Sequence, residues 1–238
     1  MNYRIQVASN RNDLALLAKQ VISHHIKLGL SKKERFQLAL SGGSTPSATY
    51  TLLAQENLPW NKVDVFLGDE RWVDQSDELS NSHMIKKTLL SIYPGNTAKF
   101  RPISTTKYNS PQESADQFNN ELQNFFKTSP PSFDLILLGL GDDGHTASLF
   151  PGSPSLNVKN KWATSSEGMG LPRITLTSPV LSSAKKVVFL VSGSNKTVAL
   201  SRLLNPEESI NRTPAKLAQP DSDILILVDK DAMASLST

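Results

Sequence analysis

Two aspartates and a histidine stand within four residues of one another in a glycine-rich turn. Asp142, Asp143 and His145 belong to the segment GLGDDGHTASLFPG, which directly follows an apolar run typical of a buried strand. Histidine can give or take a proton near neutral pH, and a neighbouring carboxylate can orient its ring. Open α/β sheets bind their ligands where strands end in such turns. The segment therefore predicts the catalytic edge of an enzyme, with His145 as general base and Asp143 as one candidate to orient it.

Three further predicted strands end in polar turns of the same kind. Because the carboxyl ends of parallel strands lie along one edge of a sheet, we expect all four turns to converge on one cleft. Asp69, from one of these turns, is therefore a second candidate for the group that orients His145. The four turns are residues 41–45 (SGGST), 68–71 (GDER), 139–145 (GLGDDGH) and 192–196 (SGSNK).

The first of these turns supplies backbone N–H groups at the start of a predicted helix. Gly42, Gly43, Ser44 and Thr45 could cradle a phosphate or an oxyanion there. The alternative is that the two glycines only make a tight turn and that Ser44 only caps the helix. The turn has neither the Gly-Lys-Ser/Thr of a nucleoside-triphosphate loop nor the glycine spacing of a dinucleotide-binding loop. This argues against ATP and NAD as ligands.

Three cations are candidates for binding the phosphate group of a substrate. Arg71 and Lys196 belong to two of the converging turns, and Arg173 immediately precedes another predicted strand. Fixed cations of this kind suit a phosphate group. The alternative for each is a surface cation or an ion pair with Asp69 or Glu70.

Several other reaction classes lack their residues in this sequence. The chain has no cysteine, which excludes disulfides, thiolate metal sites and cysteine nucleophiles. Asp142, Asp143 and His145 have no second histidine nearby in the sequence, so we predict no metal. The Gly-x-Ser-x-Gly motif of many serine hydrolases is absent. Water activated by His145 is therefore the predicted nucleophile.

Composition limits the class of protein and its partners. The 238 residues carry a formal charge of +3, with 38% hydrophobic and 20% charged residues, as in globular domains. The scattered lysines and arginines argue against nucleic acid as the main partner. The N-terminus has no signal-peptide core, and no run approaches the roughly 18 apolar residues of a membrane span. We therefore expect no membrane partner and a cytoplasmic location.

Strand-like and helix-like segments alternate along the whole chain. The alternation predicts an α/β fold with a mostly parallel, Rossmann-like doubly wound sheet and helices on both faces, in a single domain over residues 1–238. We expect strands at residues 3–8, 36–40, 63–67, 133–138, 174–177, 187–191 and 223–228. We expect helices after Asn10 or Asn12, after a cap at Ser44 or Thr45, from Ser80, over 111–126, over 146–150, from Asn195 and over 230–236. Residues 75–79 and 153–170 are interpreted as active-site loops.

Six segments of the chain resemble, in order, the family of glucosamine-6-phosphate isomerases and 6-phosphogluconolactonases. The segments are LSGGSTP at 40–46, GDERWV at 68–73, SN at 80–81, GLGDDGHTASLFPG at 139–152, RITLT at 173–177 and GSNK at 193–196. The resemblance is closer to the lactonase branch of the family. It implies hydrolysis of 6-phospho-D-glucono-1,5-lactone, a phosphorylated sugar lactone, without a cofactor.

The resemblance also implies roles for individual residues. His145 would activate water against the lactone carbonyl, with Asp143 as its acidic partner, while Asp142 occupies a position expected to vary. The glycine turn would line the ligand site, with its N–H groups facing either the phosphate or the developing oxyanion. The phosphate would be clamped by Arg71, Lys196 and, as a third cation, Arg173.

Two alternative functions stay open at this point. The deaminase branch of the family is also an aldose–ketose isomerase, and its central motif runs Asp-Gly-His-Ile-Ala-Phe-Asn-Glu-Pro. The glutamate takes part in ring opening there, whereas this chain has Phe150 in its place and Arg71 in place of a tyrosine. A sugar-phosphate sensor from a transcription regulator would need a helix-turn-helix segment before the sheet, but this chain enters its first predicted strand at Tyr3. Phe150 in place of the glutamate and the early first strand therefore both favour lactone hydrolysis.

Overall fold

The computed structural model describes residues 2–127 and 129–234, in which strands and helices alternate. The strands are β1 (Tyr3–Ala8), β2 (Phe36–Leu40), β3 (Val63–Leu67), β4 (Asp69–Arg71), β5 (Lys99–Phe100), β6 (Leu135–Gly139), β7 (Ala163–Gly168), β8 (Leu171–Leu176), β9 (Val187–Val191) and β10 (Ile224–Asp229). A large parallel sheet has the strand order β1-β10-β9-β6-β2-β3-β5. A small antiparallel sheet has the order β4-β8-β7. The predicted α/β fold with a mostly parallel sheet is confirmed.

The helices connect the strands of the parallel sheet. They are α1 (Arg11–Leu30), α2 (Ser44–Ala54), α3 (Asn81–Thr88), α4 (Pro111–Phe125), α5 (Ser178–Ser182), α6 (Thr197–Leu204) and α7 (Lys230–Met233). Short 3₁₀ helices occur at Trp60–Lys62, Gly95–Thr97, Pro154–Asn157, Ser194–Lys196 and Pro214–Leu217. None of the helices in the described residues is both long and apolar enough to span a membrane. Residues 235 and 236 of the predicted terminal helix lie outside the described residues.

Short polar side chains begin the helices that the sequence indicates most clearly. Asn10 is the cap of α1, because its side chain accepts the backbone N–H groups of Asn12 and Asp13. The side chain of Ser80 accepts the backbone N–H of His83 at the start of α3. These caps fix the points at which the chain leaves the strand ends and turns into helix.

Both faces of the parallel sheet are covered. β3, β9 and β10 consist entirely of buried residues, although successive side chains of a strand point to opposite faces. Continuous burial of this kind is expected of a parallel sheet packed on both sides. The packed core therefore holds the carboxyl ends of these strands in fixed positions along one edge.

The segment after the central turn is not the helix that the sequence predicts at residues 146–150. Thr146 and Leu149 form an isolated antiparallel bridge there. The backbone N–H of Ser148 donates to Oγ1 of Thr175 on β8 at 3.1 Å, which replaces a helical hydrogen bond. The proline that follows the segment also disfavours helical backbone at the residue before it.

Two further predictions are wrong because the small sheet has little local signal in the sequence. Residues 68–71 are more than a turn, since they include β4, which pairs with β8. Residues 153–170 are not one irregular loop, since they contain a 3₁₀ helix and β7, which forms a hairpin with β8. These strands are short or polar, and their pairing depends on partners distant in the sequence.

Candidate active site

A pocket of about 430 Å³ opens at the carboxyl edge of the parallel sheet. All four polar turns that were expected to converge contribute residues to its wall. Asp143 is not one of the lining residues, but it contacts the ring of His145, which is one. The predicted site residues that line the pocket are Gly42, Gly43, Ser44, Thr45, Asp69, Arg71, His145, Arg173 and Lys196.

The carboxylate of Asp143 holds the ring of His145. Its Oδ1 lies 2.6 Å from Nδ1 of His145 and also accepts the backbone N–H of His145 at 3.0 Å. An ionised carboxylate accepts the proton of Nδ1, which leaves Nε2 of a neutral imidazole unprotonated. A general base acting through Nε2 requires this tautomer. Of the two carboxylates expected to orient His145, Asp143 is the one that contacts the ring.

The central turn is too tight for a side chain at residue 141. A Cβ added to Gly141 would lie 2.1 Å from Nδ1 of His145 and 2.7 Å from Oδ1 of Asp143. The backbone N–H of Gly141 donates to the carbonyl of His145 at 2.8 Å, and Oγ1 of Thr146 donates to the carbonyl of Gly139 at 2.8 Å. Hydrogen bonds therefore close the turn, and the missing side chain at Gly141 leaves the space that the imidazole of His145 occupies.

Asp69 makes contacts with other parts of the pocket wall. Its Oδ2 accepts the Oγ of Ser148 at 2.5 Å, and NH1 of Arg173 lies 3.8 Å from the same oxygen. Both Asp69 and Arg173 are buried, and a buried charge needs a partner of opposite sign. Asp69 thus balances part of the positive charge of the wall, and its action on His145 stays a prediction.

Arg71 and Arg173 are directly opposite each other where β4 pairs with β8. NH1 of Arg71 donates to the carbonyl of Leu79 at 2.5 Å, and Nε of Arg173 donates to the carbonyl of Gly168 at 3.1 Å. Burial lowers the pKa of Arg173; the charge of Asp69 opposes this shift, and the charge of Arg71 adds to it. Two neighbouring guanidinium groups repel each other until an anion binds between them, so the pair favours an anionic ligand.

Two further cations reach the pocket wall. Lys196 stands on the 3₁₀ helix after β9, and its ammonium group donates to the carboxylate of Asp142. Arg11 is the first residue of α1, and its NH2 donates to Oγ of Ser44 at 2.7 Å. Arg11 was not predicted as a site residue, although it follows the end of β1 by three residues. Its position after the carboxyl end of β1, another strand of the parallel sheet, is the sequence signal that indicates it.

The glycine turn begins α2 without a side-chain cap. Gly43 is the cap residue, with a φ of +113°, so the predicted cap at Ser44 or Thr45 is wrong. A positive φ of this size favours glycine, and it places Ser44 inside the helix. Among the described residues, no side-chain hydrogen bond caps the start of α2, so its first N–H groups suit an anion. A Cβ on Gly42 would lie 1.9 Å from Oδ1 of Asn81, so glycine is needed at this close approach.

Asn81 is a lining residue whose position depends on a buried carboxylate. Oε1 of Glu70 accepts the backbone N–H of Asn81 at 2.7 Å, and Oε2 accepts that of Ser82 at 2.7 Å. Burial raises the pKa of Glu70, and these hydrogen bonds oppose the shift. Nδ2 of Asn81 then donates to the carbonyl of Asp69 at 2.8 Å. No role for Asn81 was predicted from the sequence, because this placement arises from contacts between separate elements.

Phe150 packs against the proposed base. Its ring centroid lies 4.4 Å from that of His145, with 38° between the ring planes. The guanidinium carbon of Arg173 lies 5.3 Å from the same phenyl centroid, within the range of a cation–π contact. Phe150 thus connects His145 with one of the cations, and no carboxylate stands at this position.

The polar residues of the central turn are not arranged as metal ligands. Asp142 contacts Lys196 and Asn195, whereas Asp143 contacts His145. Within residues 2–127 and 129–234, no group of three or more histidine, aspartate or glutamate side chains could hold a metal ion.

The fold and the pocket define an α/β protein with a histidine–carboxylate pair and clustered cations at the carboxyl edge of its sheet. The profile of the family described as glucosamine-6-phosphate isomerases/6-phosphogluconolactonase matches residues 9–227, and the chain belongs to this family.

Individual relatives cover almost the whole chain. A 6-phosphogluconolactonase of Synechocystis sp. is 38% identical over 236 residues, which are 98% of each chain. A 6-phosphogluconolactonase of Nostoc sp. is 36% identical in an alignment of 240 residues that covers 100% of each chain. The crystal structure of 6-phosphogluconolactonase from Leishmania guyanensis superposes with a TM-score of 0.86 at 26% identity and covers 98% of each chain.

The close approach at Gly141 gives a prediction for catalysis. Gly141→Ala should lower kcat for hydrolysis of the phosphorylated lactone by about 10²-fold, because the methyl group displaces the imidazole of His145 from its position. Gly68→Ala is the matched control, since a Cβ there meets only the carbonyl of Leu40 at 3.8 Å. Turnover and thermal unfolding of both variants provide the measurement. An unchanged kcat in Gly141→Ala would show that the placement of the ring does not matter.

Proposed function

We propose that the chain hydrolyses the ring of 6-phospho-D-glucono-1,5-lactone to give 6-phospho-D-gluconate, with water as nucleophile. The observation that carries the proposal is the Asp143–His145 pair at a pocket wall that also holds several cations. The relatives in Synechocystis and Nostoc, both named 6-phosphogluconolactonase, support the assignment of the chain to the lactonase branch of the family.

His145 acts as the general base in this reaction. Nε2 takes a proton from water as the water oxygen attacks the lactone carbonyl. The tetrahedral intermediate then expels the ring oxygen, which receives that proton from the imidazolium. Asp143 stabilises the imidazolium and keeps the ring in one orientation. Since water supplies all the atoms that are added, the reaction needs no electron acceptor and no cofactor.

The cations of the wall bind the phosphate of the substrate. Arg71 and Arg173 provide planar donor groups suited to two phosphate oxygens at once, while Lys196 adds a compact charge. Arg173 is buried, so its interaction with an anion is weakened less by water. Arg11 contributes a fourth positive charge next to the glycine turn. This excess of cations explains the preference for a phosphorylated lactone.

The N-terminus of α2 serves an anionic oxygen of the substrate. In the part of the chain that the structure describes, no side chain caps its first N–H groups, and Gly42 and Gly43 bring the backbone itself to the pocket wall. Backbone N–H groups fixed in this way stabilise a developing negative charge without having to reorganise during the reaction.

Phe150 argues against the deaminase alternative. Ring opening in that branch uses a glutamate at this position, acting through the histidine. Here a phenyl ring packs on His145 and can neither accept nor donate a proton. The expected cytoplasmic location and the expected absence of a nucleic-acid partner stay predictions.

Replacement of the base tests the proposed mechanism. His145→Ala should lower kcat for the phosphorylated lactone by about 10²–10⁴-fold, the range for a positioned general acid–base group. His24→Ala is the control, because His24 is exposed on α1. Rates are corrected for spontaneous hydrolysis of the lactone. Near-normal turnover in His145→Ala would remove His145 from its role.

Replacement of a cation tests the proposed phosphate site. Arg71→Gln should raise KM for the phosphorylated lactone by roughly 10- to 100-fold and change kcat much less, since a charged hydrogen bond to the phosphate is lost in both ground and transition states. The KM for unphosphorylated gluconolactone, measured in parallel, should stay constant. Equal effects on both lactones would contradict a phosphate clamp at Arg71.

A further inference from the structure

Lys196 has an anionic partner at the pocket wall. Its ammonium group donates to Oδ1 of Asp142, and Nδ2 of Asn195 donates to both oxygens of the same carboxylate at 3.1 and 3.0 Å. NH2 of Arg202 donates to the backbone carbonyl of Asp142 at 3.1 Å. Burial raises the pKa of Asp142, but the hydrogen bonds from Lys196 and Asn195 outweigh it and hold the pKa below its usual value. The carboxylate is therefore ionised at neutral pH.

We propose that Asp142 is a counter-ion that a phosphate group must displace from Lys196, so that it weakens phosphate binding and speeds release of the phosphorylated product. This inference rests on the proposed function for its meaning in catalysis. It assigns a role to a residue that neither the catalytic pair nor the cation cluster includes.

The exposure of the two partners makes this exchange favourable. The side chain of Asp142 is 58% exposed, whereas that of Lys196 is 24% exposed. A displaced carboxylate thus regains water and keeps the amide of Asn195 as a donor. The ammonium group stays in the wall and bonds the incoming phosphate. If both anions stayed on one ammonium group, they would repel each other at short range.

Product release explains why such a competitor is useful. Hydrolysis keeps the phosphate and creates a new carboxylate, so the product carries more negative charge than the lactone. A strongly cationic pocket would therefore hold the product at least as firmly as the substrate. Binding energy that is equal in ground and transition states lowers KM without raising kcat. A counter-ion on Lys196 reduces this uniform part of the binding energy.

Direct binding of inorganic phosphate tests the proposal without any need for catalysis. Asp142→Asn keeps the shape of the side chain and removes its charge. Calorimetric titration should give a dissociation constant about three- to tenfold lower than in the unchanged chain. Asp116→Asn is the matched control: it removes the same charge from an ion pair with Lys161 at 2.6 Å, outside the pocket lining, and should leave phosphate binding unchanged.

A double variant shows whether Asp142 acts through Lys196. In Lys196→Met, the additional Asp142→Asn change should leave the dissociation constant of phosphate unaltered, because the ion pair between Lys196 and Asp142 no longer exists. A general electrostatic effect of Asp142 would persist in the double variant and would contradict the proposal. A dissociation constant that is unchanged or higher in the single Asp142→Asn variant would also overturn the proposal. So would the absence of phosphate binding in both the unchanged chain and the Asp142→Asn variant.

Steady-state kinetics connect this test with the reaction. For the phosphorylated lactone, Asp142→Asn should lower KM and the inhibition constant of 6-phosphogluconate by the same factor, while KM for unphosphorylated gluconolactone stays constant. A role in positioning Lys196 alone would instead raise KM for the phosphorylated lactone. If no lactone is hydrolysed at all, the proposed function fails, and the phosphate titration still decides the role of Asp142.

Discussion

The two hydrogen bonds that His145 donates to Asp143 are the constraint on which the rest of the pocket depends. One oxygen accepts both the backbone N–H and the ring Nδ1 of the same histidine, so the carboxylate fixes the turn and the imidazole together. This arrangement requires the absence of a side chain at Gly141 and leaves one ring face for Phe150. Because the ring of His145 is held by its own turn, the neighbouring turns are free to supply the charged side chains of the pocket wall.

Carboxylates of the chain itself compensate part of the positive charge of the pocket. Arg173 has Asp69 nearby, and Lys196 has Asp142, which differs from Asp69 in being largely exposed. A buried carboxylate stabilises its cation permanently, whereas an exposed one can exchange with a substrate anion at little cost. Arg173 thus keeps its carboxylate partner, whereas Lys196 can exchange Asp142 for the anionic group of a ligand. Arg71 lies directly opposite Arg173 and adds charge that an anion must balance.

The sequence predicts the parts of this architecture that have local signals. Apolar runs bounded by turns locate the strands of the parallel sheet, and the bounds of β1, β2, β3 and β9 agree with the predicted ones. The convergence of the four turns follows from parallel strands alone. The sequence does not predict β4 and β7, which depend on pairing with β8, or the placement of Asn81, which depends on the distant carboxylate of Glu70. The predicted helix after the central turn fails for the same reason, because Ser148 bonds β8 instead.

A single assay on the purified chain distinguishes lactone hydrolysis from deamination, because it compares one substrate of each reaction. Hydrolysis of 6-phospho-D-glucono-1,5-lactone is measured above its spontaneous rate, and release of ammonia from glucosamine-6-phosphate is measured beside it. We predict accelerated lactone hydrolysis and no release of ammonia, because the chain has Phe150 where the deaminase motif has its glutamate. Ammonia release, or lactone hydrolysis no faster than the spontaneous rate, would contradict the proposed function.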